Sequence, residues 1–78
     1  MNSRWYVGIA NDAEKRLFTD HCVDKDNGLW AWGLATNHLE ARHIEALYHK
    51  AGCKGGPGGG DETTVFVYAY LITQSTAE

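Results

Sequence analysis

The sequence has little positive charge to spare. Seven Lys and Arg stand against ten Asp and Glu, giving a net charge of −3 with histidine neutral and a pI near 5.7. Phosphate contacts dominate the affinity of nucleic-acid binders, so tight non-specific binding to DNA or RNA is not expected. Any such contact must rely on a local basic patch or on a metal. There is one proline, and the two cysteines, Cys22 and Cys53, lie far apart without a CxxC. One disulfide between them is an option, but two free thiols in a reducing cytoplasm is the favoured reading. The N-terminus lacks the apolar core of a signal peptide, and no apolar run approaches transmembrane length. The expectation is a soluble, cytoplasmic protein with no membrane partner.

What is present suits one small domain over residues 1–78, near the lower end of what a single core supports. Hydrophobic residues make up 44% of the chain, too many for a disordered one. With three Trp and four Tyr in so short a chain, some aromatics must stay partly exposed.

Residues 5–9, WYVGI, are rich in β-formers and predict a strand. Asn11 or Asp12 can cap a following helix that runs to about His21, with Leu17 and Phe18 on its apolar side. Asn27-Gly28 marks a turn, and LWAWGLA, 29–35, predicts a second strand with Trp30 and Trp32 on one face. Thr36 to Ala51 is the best-marked helix, opened by Asn37 with Glu40 and ended by Gly52. Its spacing sends Ile44, Leu47, Tyr48 and Ala51 to the core and leaves Arg42, Glu45 and His49 on a more polar stripe. A glycine-rich loop, 53–62, precedes a buried strand, VFVYAYLI at 65–72, and a tail expected to fray. The order is β-α-β-α-β. The fold class is α/β (α+β): a small three-stranded, mainly antiparallel sheet flanked by helices.

Tyr6-Val7-Gly8-Ile9-Ala10-Asn11-Asp12, followed by Glu14-Lys15-Arg16-Leu17 and His21, resembles the second half of the GIY-YIG nuclease signature. In that family a Tyr-Ile-Gly strand leads into a helix carrying a catalytic arginine. Ala41-x-x-x-Glu45 resembles the segment that holds the family's metal-binding glutamate. The family's Gly-Ile-Tyr strand normally comes first, yet only Met1 to Arg4 precede Trp5, and the strand that resembles it lies at 67–72. The resemblance therefore implies a circularly permuted GIY-YIG fold, with Tyr70 at the first motif's tyrosine and Tyr68 on the same face. Permutation is physically cheap where chain termini lie close together. His21 falls one residue later than the family's usual histidine.

The resemblance implies a metal-dependent endonuclease hydrolysing phosphodiester bonds, with DNA as the nucleic-acid partner, bound modestly. Tyr6 or Tyr70 would relay the proton of an attacking water. Arg16 would hold a non-bridging phosphate oxygen. Glu45 would bind Mg2+ or Mn2+. Such a site requires Tyr70 to lie beside Tyr6, and both to converge with Arg16 and Glu45. Each residue also has an ordinary use. Arg16 can pair with Asp12 or Asp20, and Glu45 with Arg42 or His49, at helical spacing. A catalytically degenerate adaptor module on the same fold is the competing reading, as is a homodimer that exchanges its last strand through the glycine hinge. His38, His43, His49 and Cys53 lie in one region but show no recognised zinc spacing. The run GGPGGG lacks the Lys-Ser/Thr of a phosphate loop. Trp30 and Trp32 can stack on exposed bases, although core packing is the commoner use of strand tryptophans.

Overall fold

A computed structural model describes residues 3–56 and 61–78 of the chain. Its three strands are β1 (Trp5–Ala10), β2 (Trp30–Leu34) and β3 (Phe66–Leu71), and its one α-helix is α1 (His38–Lys50). The sheet order is β1-β3-β2, with β3 antiparallel to both neighbours. The last strand in sequence is thus the middle strand in space. That placement explains its nearly continuous apolar run, since a central strand covered on both faces has no side to give to water. Tyr68, Ala69 and Tyr70 are all buried in succession.

The pleat sorts the side chains into two layers. On one face Tyr6, Ala10, Tyr68 and Tyr70 pack with Ala13, Leu17 and Val23, and with partly buried Phe18, Trp30, Phe66 and Ile72. On the other, Val7 and Ala69 meet Cys53, while Ile9 meets Ala35 and Ala41. Both cysteines are free thiols, Cys22 exposed and Cys53 buried. Among the described residues no helix is long and apolar enough to cross a membrane.

The first helix departs from expectation. After an α-helical turn at Ala13 and Glu14, residues Lys15–Asp20 form a π-helix. Asp12 provides the cap, its Oδ1 accepting from Lys15 N at 3.0 Å. Asn11 turns away instead to Thr63 and Thr64. Leu17 is the segment's fully buried residue and its main anchor, contributing about 1.5–3 kcal/mol by burial.

Helix α1 keeps its expected ends. Asn37 Oδ1 accepts from Glu40 N, Glu40 Oε1 accepts from Thr36 N, and Gly52 has a φ of +107°. Its rotation about its own axis differs from the spacing argument. Ala41 is the fully buried residue, Ile44, Glu45 and His49 are half-buried, and Leu47 and Tyr48 stay 55% and 38% exposed. Two contacts account for this. The small Ala41 lets the helix approach the sheet closely, and His49 turns inward so that its Nε2–H donates to the Val7 carbonyl at 2.9 Å. The stripe 41/45/49 therefore faces the protein, and Glu45 comes with it.

The start of the glycine-rich loop has a structural task. Lys54 runs parallel to β1 along its outer edge, with Lys54 N donating to Trp5 O and Val7 N donating to Lys54 O. A Cβ on Gly55 would collide with the His49 ring. Pro57 to Gly60 lie outside the described residues. The tail expected to fray is docked: Ala77 N donates to His21 O at 2.7 Å, and a Thr73–Thr76 turn supports it.

Two strand glycines should respond oppositely to alanine. A Cβ on Gly8 would lie 2.5 Å from the Tyr68 hydroxyl oxygen, whereas one on Gly33 meets nothing within 4 Å. Urea denaturation is expected to show Gly8→Ala destabilised by about 1–3 kcal/mol through overpacking. Gly33→Ala should be neutral or stabilised by up to about 1 kcal/mol.

Candidate functional site

Antiparallel pairing sets Tyr6 opposite Tyr70 and Gly8 opposite Tyr68. The Tyr6 ring stacks on Tyr70 with centroids 5.2 Å apart and on Tyr68 at 6.3 Å. Tyr68 reaches its position because Gly8 has no side chain to occupy the space. The ring of His21 enters the same cluster, 4.6 Å from Tyr6, 4.9 Å from Tyr70 and 5.6 Å from Tyr68.

The π-helix is what brings His21 there. Its hydrogen bonds span five residues, as in His21 N to Arg16 O at 2.9 Å. That winding places residues five apart on the same side of the helix. Arg16 and His21 therefore both face Tyr68, although α-helical spacing would have separated them. Cys22, at φ 56°, makes the sharp left-handed exit that lets the chain leave the helix directly after His21.

The hydrogen bonds define one chain of donors and acceptors. The Ala77 carbonyl can only accept, so at 2.6 Å His21 Nδ1 must carry the proton. Burial holds the imidazole below its ordinary pKa and hence neutral, which leaves Nε2 to accept from the Tyr68 hydroxyl at 2.9 Å. The Arg16 guanidinium lies close by, and the neighbouring Tyr68 oxygen is the leading cause of its raised pKa. Burial pushes the Tyr68 phenol up, while Arg16 pulls it back down. Tyr70 is wholly buried, with its hydroxyl committed to His21 Nδ1 and the Ala77 carbonyl, and its pKa is raised mainly by burial.

Three residues border this buried chain. Arg16 has a side chain 44% exposed and pairs with Asp20 at 3.2 Å. Its guanidinium thus lies between the hidden Tyr68 and solvent. The Tyr6 hydroxyl accepts from Gly56 N at 2.8 Å, which fixes the glycine-rich segment beside the tyrosines. Glu45 arrives from α1 in the other layer. Burial raises its pKa against the opposing pull of His49 and Arg42, and its charge is felt at Tyr68.

The structure thus gathers Tyr6, Tyr70 and Arg16 around a centre that the sequence had not singled out, the Tyr68–His21 pair. It does not bring Glu45 to them: α1 packs on the opposite face of the sheet, so the expected convergence of Glu45 with Tyr6, Tyr70 and Arg16 is not met. Tyr68 was visible in the sequence as sharing a face with Tyr70, whereas the π-helix that turns His21 toward it was not. Among the described residues, no three or more His, Cys, Asp or Glu gather into a metal-binding group. His49 and Cys53 are engaged with Val7 O and the Val7–Ala69 cluster.

No family model, no curated protein and no solved structure matches the chain.

The two shifted groups predict opposite pH responses. Between its lowered native pKa and the ordinary 6.5, His21 binds a proton when unfolded but not when folded. Urea midpoints should therefore fall as pH drops below about 6.5, and His21→Gln should flatten that slope. Glu45 has the reverse sign: its raised native pKa means that ionisation opposes the fold as pH rises past 4.5. At pH 7 Glu45→Gln should match or exceed the wild-type midpoint.

Proposed function

We propose that the protein is a metal-dependent phosphodiesterase of GIY-YIG type, acting on DNA, with the two halves of the family's signature at opposite ends of the chain. The observation that carries this reading is the meeting of Arg16, Tyr68, His21 and Tyr6 on one sheet face. It takes the strand that resembles Tyr-Ile-Gly, the arginine helix and the C-terminal strand together to build it. Support also comes from the central position of β3 beside β1, from Tyr6 facing Tyr70, and from the π-helix that compensates for the late histidine.

The chain's own residues supply most of the chemistry. Arg16 would exchange Asp20 for a non-bridging phosphate oxygen and steady the charge that develops there. Tyr6, at the border of the cluster, would relay the proton of the attacking water. The buried Tyr68–His21 pair packs against its ring. Tyr70, fully enclosed, holds His21 in place. Glu45 is the residue that the resemblance offers for Mg2+ or Mn2+, but it lies across the sheet from Arg16. Among the described residues no metal-binding group of His, Cys, Asp or Glu gathers about it, so no step is assigned to a cation there.

A second reading is favoured by a different surface. A groove of about 270 Å3, floored by Ala31, Gly33 and Ala69 and walled by Ile44 and Tyr48, runs between β2 and α1. Exposed Leu34 and Leu47 lie on these same two elements. A non-catalytic adaptor would use this apolar face and leave the tyrosine cluster as core.

Plasmid nicking with Mg2+ or Mn2+ separates the two. The enzyme reading expects nicking by wild type, a loss of about 10²–10³-fold in Arg16→Ala and a comparable loss in Tyr6→Phe. Wild-type protein that leaves plasmid intact with either metal would sink it.

A further inference from the structure

The C-terminal tail makes contacts that the proposed chemistry does not require and that a frayed end would not make. Ala77 touches His21 twice through its backbone, N–H to the His21 carbonyl at 2.7 Å and C=O to Nδ1 at 2.6 Å. The same carbonyl accepts from the Tyr70 hydroxyl at 3.3 Å. The approach is fixed by the preceding turn, where Thr76 Oγ1 accepts from Thr73 N at 3.0 Å and donates to Thr73 O at 3.0 Å. An exposed ion pair, Glu78 with Lys54 at 3.7 Å, ties the end of the tail to the strip that edges β1.

A neutral imidazole carries its proton on either nitrogen, and the partner of one nitrogen decides the role of the other. His21 meets hydroxyl oxygens from Tyr68 at Nε2 and from Tyr70 at Nδ1, and hydroxyls donate or accept equally well. Neither tyrosine can select the tautomer. The Ala77 carbonyl can, because it has no proton to give.

We propose that residues 73–78 are a positioning element of the site, in which the Ala77 carbonyl locks His21 as the Nδ1–H tautomer and so reserves Nε2 as the acceptor for the Tyr68 hydroxyl. Without that carbonyl, Nδ1 is free to accept from Tyr70, Nε2–H then donates to Tyr68, and the Tyr68 hydroxyl loses its acceptor. The set of the Tyr68 ring against Tyr6 is then no longer fixed. The charged and titratable groups facing the ring are Arg16 and Asp20 from the π-helix, Tyr6 from β1, Tyr68 and Tyr70 from β3, and Glu78 from the tail itself. The tautomer lock stands on hydrogen-bond geometry alone. Its effect on catalysis rests on the phosphodiesterase reading.

The test is long-range 1H–15N correlation of the histidine rings in the full chain, at a pH where His21 is neutral. Two variants accompany it: a chain ending at Gln74, and full-length Ala77→Pro, which removes the N–H that docks the tail and perturbs far less. Wild type is expected to show His21 with a protonated Nδ1 and an unprotonated Nε2, and each folded variant should lose that single-tautomer pattern. A wild-type ring protonated at Nε2, or an unchanged Nδ1–H pattern in both variants, would overturn the lock. Plasmid nicking is measured on the same samples, where a loss of tenfold or more in turnover is expected with KM little changed. Unchanged turnover in variants that have lost the tautomer would overturn the positioning role. Intact plasmid in wild type would count against the phosphodiesterase reading and leave the tautomer result standing.

Discussion

The Tyr68 hydroxyl is the point on which the arrangement turns. Buried at the middle of the central strand, it cannot be left without partners, since an unsatisfied buried hydroxyl would cost about 1–3 kcal/mol. It finds an acceptor in His21, and the Arg16 guanidinium lies near enough to lower its pKa. Much of the unusual local structure serves this requirement. Gly8 vacates the space that the phenol fills. The π-helix turns Arg16 and His21 to one side. The tail carbonyl holds the far nitrogen of the imidazole.

On the phosphodiesterase reading, the same arrangement would let a small acidic protein handle a phosphate. Net charge opposes binding, but only one exposed guanidinium needs to face the anion. That guanidinium rests on Asp20 and is backed by a neutral histidine, so no second positive charge has to be buried with it. Glu45 represents a different cost. A half-buried carboxylate with a raised pKa works against the fold at neutral pH. Perturbed groups of this kind cluster at functional sites, although structural packing perturbs pKa values too.

Much of this was legible in the sequence. The strands were marked by β-formers and the ends of α1 by Asn37, Glu40 and Gly52, because these signals are local. The placement of Tyr70 beside Tyr6 came from the resemblance, not from any local pattern. Three features were hidden for physical reasons. The π-helix leaves no trace in hydrophobic spacing when a single leucine anchors it. The roll of α1 depends on the small Ala41 and on His49 reaching a strand carbonyl, while spacing counted the larger Leu47 and Tyr48 as core. The docked tail is held by backbone groups and threonine hydroxyls, which look like any polar terminus. Tyr68 and Tyr70 share a face by alternation, so only the placement of Arg16 and Gly8 distinguishes the pivot from its support.

The claim that Arg16 and His21 both act on one hydroxyl can be measured without any assay of activity. The Cζ resonance of Tyr68, followed by NMR in protein carrying 13C-labelled tyrosine, reports directly on the hydrogen bonds of its oxygen. It should move in Arg16→Ala, which removes the neighbouring guanidinium, and in His21→Gln, which replaces the acceptor, and stay in place in Asp24→Asn, on the exposed connector. A Tyr68 Cζ resonance unmoved by both site substitutions would contradict the account.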